Sequence, residues 1–199
     1  KAAGLGDQGA HHFLAGGVPQ RVDDAAVAVP AFLCEGELAI FDVDGVLTDG
    51  TIYLSERGEE MKAFNVLDGL GLKMLSASGI VTALLSARKS KVVALRAKEI
   101  GVSHLLQGVD DKLDTYRRLL RKLDLAEEET SFMGDDLPDL PVLRRCGLAF
   151  SVSDAPEVVR SSVHHVTRTA GGRGAAREAC EFLLRARGTL ENQLRTYLA

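Results

Sequence analysis

The chain has 199 residues, long enough for one domain with a substantial core, and its 46% hydrophobic and 26% charged residues exclude a disordered polypeptide. A net charge of −4 leaves no basic footprint for nucleic acid, whose binders carry a positive face. Its three cysteines, Cys34, Cys146 and Cys180, are odd in number and widely spaced, which argues against a disulfide framework or zinc site and for buried thiols in a reducing compartment.

Residues 1–35 are rich in Gly and Ala without sustained periodicity and read as a poorly ordered or loosely packed arm, with a short helix expected around Val22 to Val29. The opening KAAGLGDQGAHHFLAGG has no basic end followed by an apolar stretch, so it does not read as a signal peptide. No later run approaches the roughly 18 apolar residues of a membrane span. A cytoplasmic protein with neither a membrane nor a nucleic-acid partner is expected. Residues 36–190 read as a single domain, and 191–199 as a C-terminal tail. LAIFDV, from Leu38, suits a strand buried on both faces. TIYLS and EMKAF, separated by the turn-like ERGE, predict a hairpin. The pattern then predicts a helix over Gly69 to Ser78, a strand over Ile80 to Leu85, a helix over Ser90 to Ile100 and a strand over Ser103 to Leu106. Leu113, Tyr116, Leu119, Leu120 and Leu123 share one face of a helix over Lys112 to Leu123. A strand at Thr130 to Met133, a short helix at Leu137 to Arg145, a strand at Leu148 to Val152 and a helix at Arg173 to Ala186 complete the series. Strand alternating with helix implies βαβ units, hence an α/β, Rossmann-like doubly wound parallel sheet with helices on both faces.

In such a sheet, ligands gather outside the carboxyl ends of the strands. Asp42 and Asp44 follow the first strand, Ser86 the second, Asp135 and Asp136 the strand SFM, and Lys112 opens a helix. Several carboxylates at one edge repel one another unless a cation sits among them. Hard oxygen ligands select Mg²⁺, which is completed by water and phosphate oxygens. A lysine and a hydroxyl suit phosphate oxygens. One carboxylate can attack phosphorus to form an aspartyl-phosphate; a second, two residues along, can protonate the leaving oxygen and later activate water. Each piece alone has a plainer reading. DDLPD can cap a helix, Lys112 can be a solvated lysine, Ser86 a turn residue and Gly171 to Gly174 a flexible turn. The pairs His11–His12 and His164–His165 lack chelating spacing. A calcium loop fails because Val46 would have to supply a side-chain oxygen. A phospho-receiver domain carries its phosphorylated Asp, hydroxyl and lysine in another order than the Asp pair, Ser, Lys and second acidic cluster found here.

DVDGVLTDG, the Ser of LLSAR, Lys112 and GDDLPD resemble the four motifs of the haloacid dehalogenase superfamily. IFDVDGVLTDGTIYL, EEMKAFNVLDGLGLKML, GDDLPDLPVLRRCGLAF and TRTAGGRGAAREACEFLL further resemble its capless phosphatases for 3-deoxy-D-manno-octulosonate 8-phosphate, over about Glu37 to Leu190. The resemblance implies that Asp42 is the nucleophile and a Mg²⁺ ligand, and that Asp44 is the general acid/base and a ligand through its backbone carbonyl. Asp135 is then the third protein ligand, Asp136 and Asp139 support the metal site, and Ser86 and Lys112 hold phosphoryl oxygens. The implied reaction releases phosphate from an eight-carbon sugar acid in lipopolysaccharide precursor synthesis. A nine-carbon sialic-acid-type phosphate is the alternative substrate, and a catalytically silent assembly module is the alternative of another class. Only about 20 residues separate the first motif from the next helix, room for a hairpin flap but not for a cap domain. Relatives of this type assemble as homotetramers through the flap hairpin, each site completed by a neighbour. Arg88 and Arg173 are expected to bind the sugar-acid carboxylate, since guanidinium suits bidentate recognition. Ser86-Ala87-Arg88 departs from the Thr-Gly-Arg common among relatives, and Leu67 stands where some carry Arg.

Overall fold

The strand LAIF (β1, Leu38–Phe41) organises the sheet, with all four side chains buried as an apolar run between two helical layers requires. The computed structural model describes residues 38–58 and 60–198, so the expected N-terminal arm, its helix at 22–29 and Cys34 lie outside the described residues. β1 pairs in parallel with β4 (Val81–Ser86) on one side and β6 (Thr130–Met133) on the other. β4 continues to β5 (His104–Gln107), and β6 to β7 (Leu148–Ser151) and β8 (His165–Val166), always in parallel. Among the described residues the order is β5-β4-β1-β6-β7-β8. The chain therefore winds outward from β1 through β4 and β5, then crosses back to β6. The crevice at that reversal opens above the carboxyl ends of β4, β1 and β6.

The expected hairpin is present as β2 (Tyr53–Leu54) and β3 (Glu60–Met61), antiparallel and separate from the main sheet, with no further domain between β1 and the first helix. Helix α1 (Val66–Ala77) starts three residues before the predicted Gly69, because Asn65 Oδ1 accepts from Leu67 N at 2.9 Å and caps it there. Helices α2 (Lys91–Ile100) and α3 (Lys112–Leu123) match their predicted extents closely. The predicted helix at Leu137 to Arg145 divides into a 3₁₀ turn at Leu137–Asp139 and a short α4 (Leu140–Leu143), since Pro138 and Pro141 lack the N–H groups a continuous helix needs. α5 (Glu157–Arg160), β8 and α7 (Leu190–Arg195) are elements the sequence pattern did not predict, and α7 occupies much of the expected C-terminal tail. α6 (Ala175–Ala186) begins two residues after the predicted Arg173, because Gly174 sits at φ +106° and interrupts the helical path.

The helices form two groups flanking the sheet: α1 packs on α6 and α2, while α3 packs on α4. Tyr116 is fully buried on α3 and its hydroxyl lies 2.7 Å from Thr130 Oγ1, tying the helix that begins with Lys112 to β6. Cys146 and Cys180 are free, buried thiols, and burial pushes Cys146 up to about 12, so both are unreactive core residues. No helix among the described residues is long and apolar enough to cross a membrane.

Candidate active site

Parallel register brings the predicted site residues to one edge. Phe41 stands opposite Leu84 of β4 and Met133 of β6. Asp42 is thus one residue past the register, and Ser86 and Asp135 each two, on three adjacent strands. The chain then has to turn sharply under Asp135, and Gly45 makes this possible: it adopts φ +91°, and a Cβ there would sit 2.0 Å from Asp135 Oδ2.

Lys112 is the hub of the cluster. Its ammonium donates to Asp139 Oδ1 at 2.6 Å and lies 2.9 Å from Asp42 Oδ1, and all three side chains are buried. Burial works against the lysine charge, but Asp42 and Asp139 outweigh it and raise its pKa above the usual value. The other oxygen of Asp139 accepts from the backbone N–H groups of Asp135 and Asp136, at 3.1 and 3.2 Å. Both Asp139 oxygens are therefore committed within the protein. Asp136 is exposed, and its Oδ1 accepts from Leu137 N at 2.7 Å, capping the 3₁₀ turn.

Asp42, which shares Lys112, and Asp135 are less fully compensated. Burial first, then the charge of Asp139, raises the Asp42 pKa against the pull of Lys112. Burial, followed by Asp42 and Asp139, pushes Asp135 up to about 8. Asp135 Oδ1 is buried without a hydrogen-bond partner among the described residues, and Asp42, Asp135 and Asp139 bring carboxylate oxygens within 4.8 Å of one another. An orphaned carboxylate oxygen facing two further carboxylates fits a hard divalent cation, which would offset their repulsion.

Asp44 points elsewhere. Its Oδ1 takes a hydrogen bond from Lys62 Nζ, and its Oδ2 lies 3.7 Å from Arg88 Nε. Glu60 stands behind both cations, 3.2 Å from Lys62 Nζ and 3.8 Å from Arg88 Nη2. The sequence reading missed Lys62 and Glu60. The available signal was the hairpin itself, whose return strand must lead back over the first motif. Ser86 is buried at the end of β4, and its hydroxyl accepts from Arg88 N at 3.2 Å. The structure thus gathers Asp42, Lys112, Asp135 and Asp139 into one cluster and Asp44 with Arg88 into an adjoining one.

Arg173 lies apart from both clusters, largely exposed, with Nη2 3.9 Å from Asp49 Oδ2. It belongs to the GGRG segment, which docks on the first motif of the same chain. Gly172 N donates to Val46 O at 2.9 Å, and a Cβ on Gly171 would lie 1.8 Å from Gly45 O. Between this segment and the flap is a cavity of about 330 Å³ lined by Asp49, Tyr53, Ala63, Phe64, Asn65, Gly172 and Arg173.

A family model described as haloacid dehalogenase-like hydrolase matches residues 81–178. Over 154 residues the chain is 47% identical to the 3-deoxy-D-manno-octulosonate 8-phosphate phosphatase KdsC of Escherichia coli strain K12, spanning 77% of this chain and 82% of that protein. The chain belongs to the haloacid dehalogenase-like hydrolases. Solved structures of this hydrolase family extend the likeness. A probable YrbI family phosphatase from Pseudomonas syringae pv. phaseolica 1448a is 51% identical with a TM-score of 0.82, covering 84% of this chain and 97% of that one. The 3-deoxy-D-manno-octulosonate 8-phosphate phosphatase from Moraxella catarrhalis, solved with magnesium, phosphate and KDO, is 41% identical with a TM-score of 0.82, covering 84% and 96%.

Proposed function

We propose that this haloacid dehalogenase-like hydrolase is a cytoplasmic, Mg²⁺-dependent phosphatase that converts 3-deoxy-D-manno-octulosonate 8-phosphate to the free sugar acid and phosphate, a step in lipopolysaccharide precursor synthesis. The observation that carries the chemistry is the division of its carboxylates: Asp42 shares Lys112 with Asp139 beside an unpartnered Asp135 oxygen, while Asp44, two residues on, is held by different cations. The substrate rests on the likeness to the Escherichia coli and Moraxella catarrhalis phosphatases.

Asp42 and Asp135, with the Asp44 backbone carbonyl, would hold Mg²⁺, and Asp136 and Asp139 would support that site; bound there, the cation supplies positive charge for the buried carboxylates and the phosphoryl oxygens. The Asp42 carboxylate attacks phosphorus as the bond to the sugar oxygen breaks, and Asp44 gives that oxygen a proton. In the second half, Asp44 takes a proton from water as the water oxygen attacks phosphorus. The Asp42 oxygen–phosphorus bond then breaks, returning the carboxylate and inorganic phosphate. Lys112, already charged beside Asp42, and the Ser86 hydroxyl hold the equatorial phosphoryl oxygens. Arg88 stands about half exposed at the mouth beside Asp44 and reads the sugar-acid carboxylate; Arg173 does so from the cavity under the flap.

The flap carries a second part of this reading. On the hairpin Tyr53 pairs with Met61 and Leu54 with Glu60; Leu54 and Met61 are 66% and 69% exposed, and Tyr53 and Ile52 are exposed as well. Such an apolar edge on a two-stranded hairpin suits burial against other copies of the chain, and we infer a homotetramer assembled through it.

Phosphate release measured across eight-carbon and nine-carbon sugar-acid phosphates, with and without Mg²⁺ and beside Asp42→Asn, tests the proposal. Release that prefers the eight-carbon substrate, needs the metal and disappears in Asp42→Asn is the expected result. A preference for the nine-carbon substrate overturns the specificity, and activity that survives the substitution overturns the mechanism.

A further inference from the structure

Lys62 is the one cation of the two clusters whose side chain is wholly covered, at 0% exposure, although it lies on the flap, where the neighbouring Leu54 and Met61 face solvent. A covered lysine needs carboxylates, and it has two: Asp44 Oδ1, to which it donates, and Glu60 Oε1 at 3.2 Å. Glu60 is itself anchored. A hydrogen bond from the Ser90 side chain, and then Lys62 and Arg88, hold its carboxyl below the usual range. Ser90 in turn caps α2 and donates its backbone N–H to Gln107 Oε1 at 2.8 Å, so the chain of contacts ends at the sheet edge. These contacts hold the ammonium against Asp44.

We propose that Lys62 is a positioning residue for proton transfer, gripping Asp44 Oδ1 so that Oδ2 is the oxygen presented to the leaving sugar oxygen. This rests on the phosphatase reading above. Among the described residues, the ion-pair partner of Asp44 Oδ2 is Arg88 Nε at 3.7 Å, beyond hydrogen-bonding distance, which leaves that oxygen available. As the phosphorus–oxygen bond breaks, the proton on Asp44 Oδ2 passes to the departing alkoxide, and Lys62 holds the resulting carboxylate in place without giving up its own proton. The flap thus carries part of the proton-transfer apparatus as well as covering the site.

An assay on three substrates separates this role from fold maintenance and from sugar recognition. The sugar-acid phosphate and glycerol 1-phosphate both expel a poor alkoxide, but only the first carries a carboxylate; p-nitrophenyl phosphate expels a phenolate that needs little protonation. Lys62→Met is expected to lower kcat/KM on both alkyl substrates by about 100-fold, at least tenfold more than on the aryl substrate. Lys62→Arg recovers part of the alkyl rate, and Lys62→Met added to Asp44→Asn costs no more than Asp44→Asn alone. Equal losses on alkyl and aryl substrates overturn the proposal, as does a loss confined to the sugar-acid phosphate. Lys62→Gln gives the same ratio if the Met variant fails to fold by circular dichroism. Wild-type protein that releases phosphate from none of the three overturns the phosphatase reading itself, an outcome distinct from equal losses in an active enzyme.

Discussion

Lys112 Nζ donates to Asp139 Oδ1 at 2.6 Å while lying 2.9 Å from Asp42 Oδ1, so one buried ammonium holds the proposed nucleophile against a carboxylate from the 3₁₀ turn after β6. Removing one partner of a buried ion pair leaves the others uncompensated. Lys112→Met is expected to lose about 3 kcal/mol of stability near neutral pH and to abolish phosphate release. Urea unfolding followed by circular dichroism, run beside the activity assay, checks both. Full stability in this variant would mean that Asp42 and Asp139 find relief without the lysine.

The carboxylates themselves predict two opposite effects of one substitution. Asp135 is pushed up to about 8 by burial and then by its acidic neighbours, which is a cost to the metal-free fold at neutral pH. Asp135→Asn should therefore raise the melting temperature in a chelator. The same variant should lose the rise that Mg²⁺ gives the wild type, because a cation bound only to the folded state stabilises it by mass action. Thermal melts with and without Mg²⁺ test the pair; a wild-type curve indifferent to the metal would overturn the ligand assignment.

The GGRG segment is docked by hydrogen bonds, Gly171 N donating to Asp154 Oδ1 at 3.1 Å and Gly172 N to Val46 O at 2.9 Å, and by close backbone contact. A Cβ on Gly171 would lie 1.8 Å from the Gly45 carbonyl oxygen and 2.6 Å from its carbonyl carbon. Gly171→Ala must push the first motif aside, at a cost of about 1–3 kcal/mol, and should lower kcat because the turn it displaces carries Asp44. Unchanged activity would mean that the segment and the motif move independently.

A histidine far from the chemistry gives a pH signature. His164 Nδ1 accepts from Ala149 N at 3.0 Å, and burial lowers the pKa of the ring. The folded state holds the neutral form more strongly than the unfolded chain does. Its contribution is thus complete above about pH 6.5, the ordinary histidine value, and is lost as pH falls toward the lowered folded value. The difference in urea midpoint between wild type and His164→Asn should shrink from pH 7.5 to pH 5.5. A constant difference would contradict the burial argument.

The exposed hairpin edge predicts assembly. Leu54→Asp combined with Met61→Asp places charge on side chains that are 66% and 69% exposed in the single chain, so the isolated fold should tolerate it. Sedimentation should nevertheless show the wild type as a tetramer and the variant as smaller species. A monomeric wild type would sink the tetramer proposal and leave the catalytic reading standing.

Much of the candidate site was legible because its residues occupy places that periodicity can locate. Asp42, Ser86 and Asp135 end apolar runs, and Lys112 opens an amphipathic helix, so the pattern that predicts the elements also predicts their edges. Lys62 escaped for the opposite reason. Alternation in EMKAF tells only that it shares a strand face with Glu60, and its target Asp44 lies 18 residues away through a turn. Asp68 escaped likewise. Within FNVLDG it reads as an ordinary helical aspartate, yet its Oδ1 accepts from Arg177 N at 2.8 Å across 109 residues of sequence. That bond meets an otherwise unpaired N–H in the first turn of α6, whose own cap residue, Gly174, has no side chain to offer.

The sequence by itself determined that acidic residues would follow buried strands in an alternating α/β chain, because periodicity and local turn chemistry act over a few residues. Which carboxylates share a cation was decided only by tertiary structure. That depends on β1 lying between β4 and β6, and on glycines at 45 and 134 letting Asp135 and Asp139 come within van der Waals reach of the backbone. Strand order is set by the packing of helices on both faces, which no local pattern encodes. Coulomb energy falls with distance, so that order is what separates Asp42 beside Lys112 from Asp44 beside Lys62.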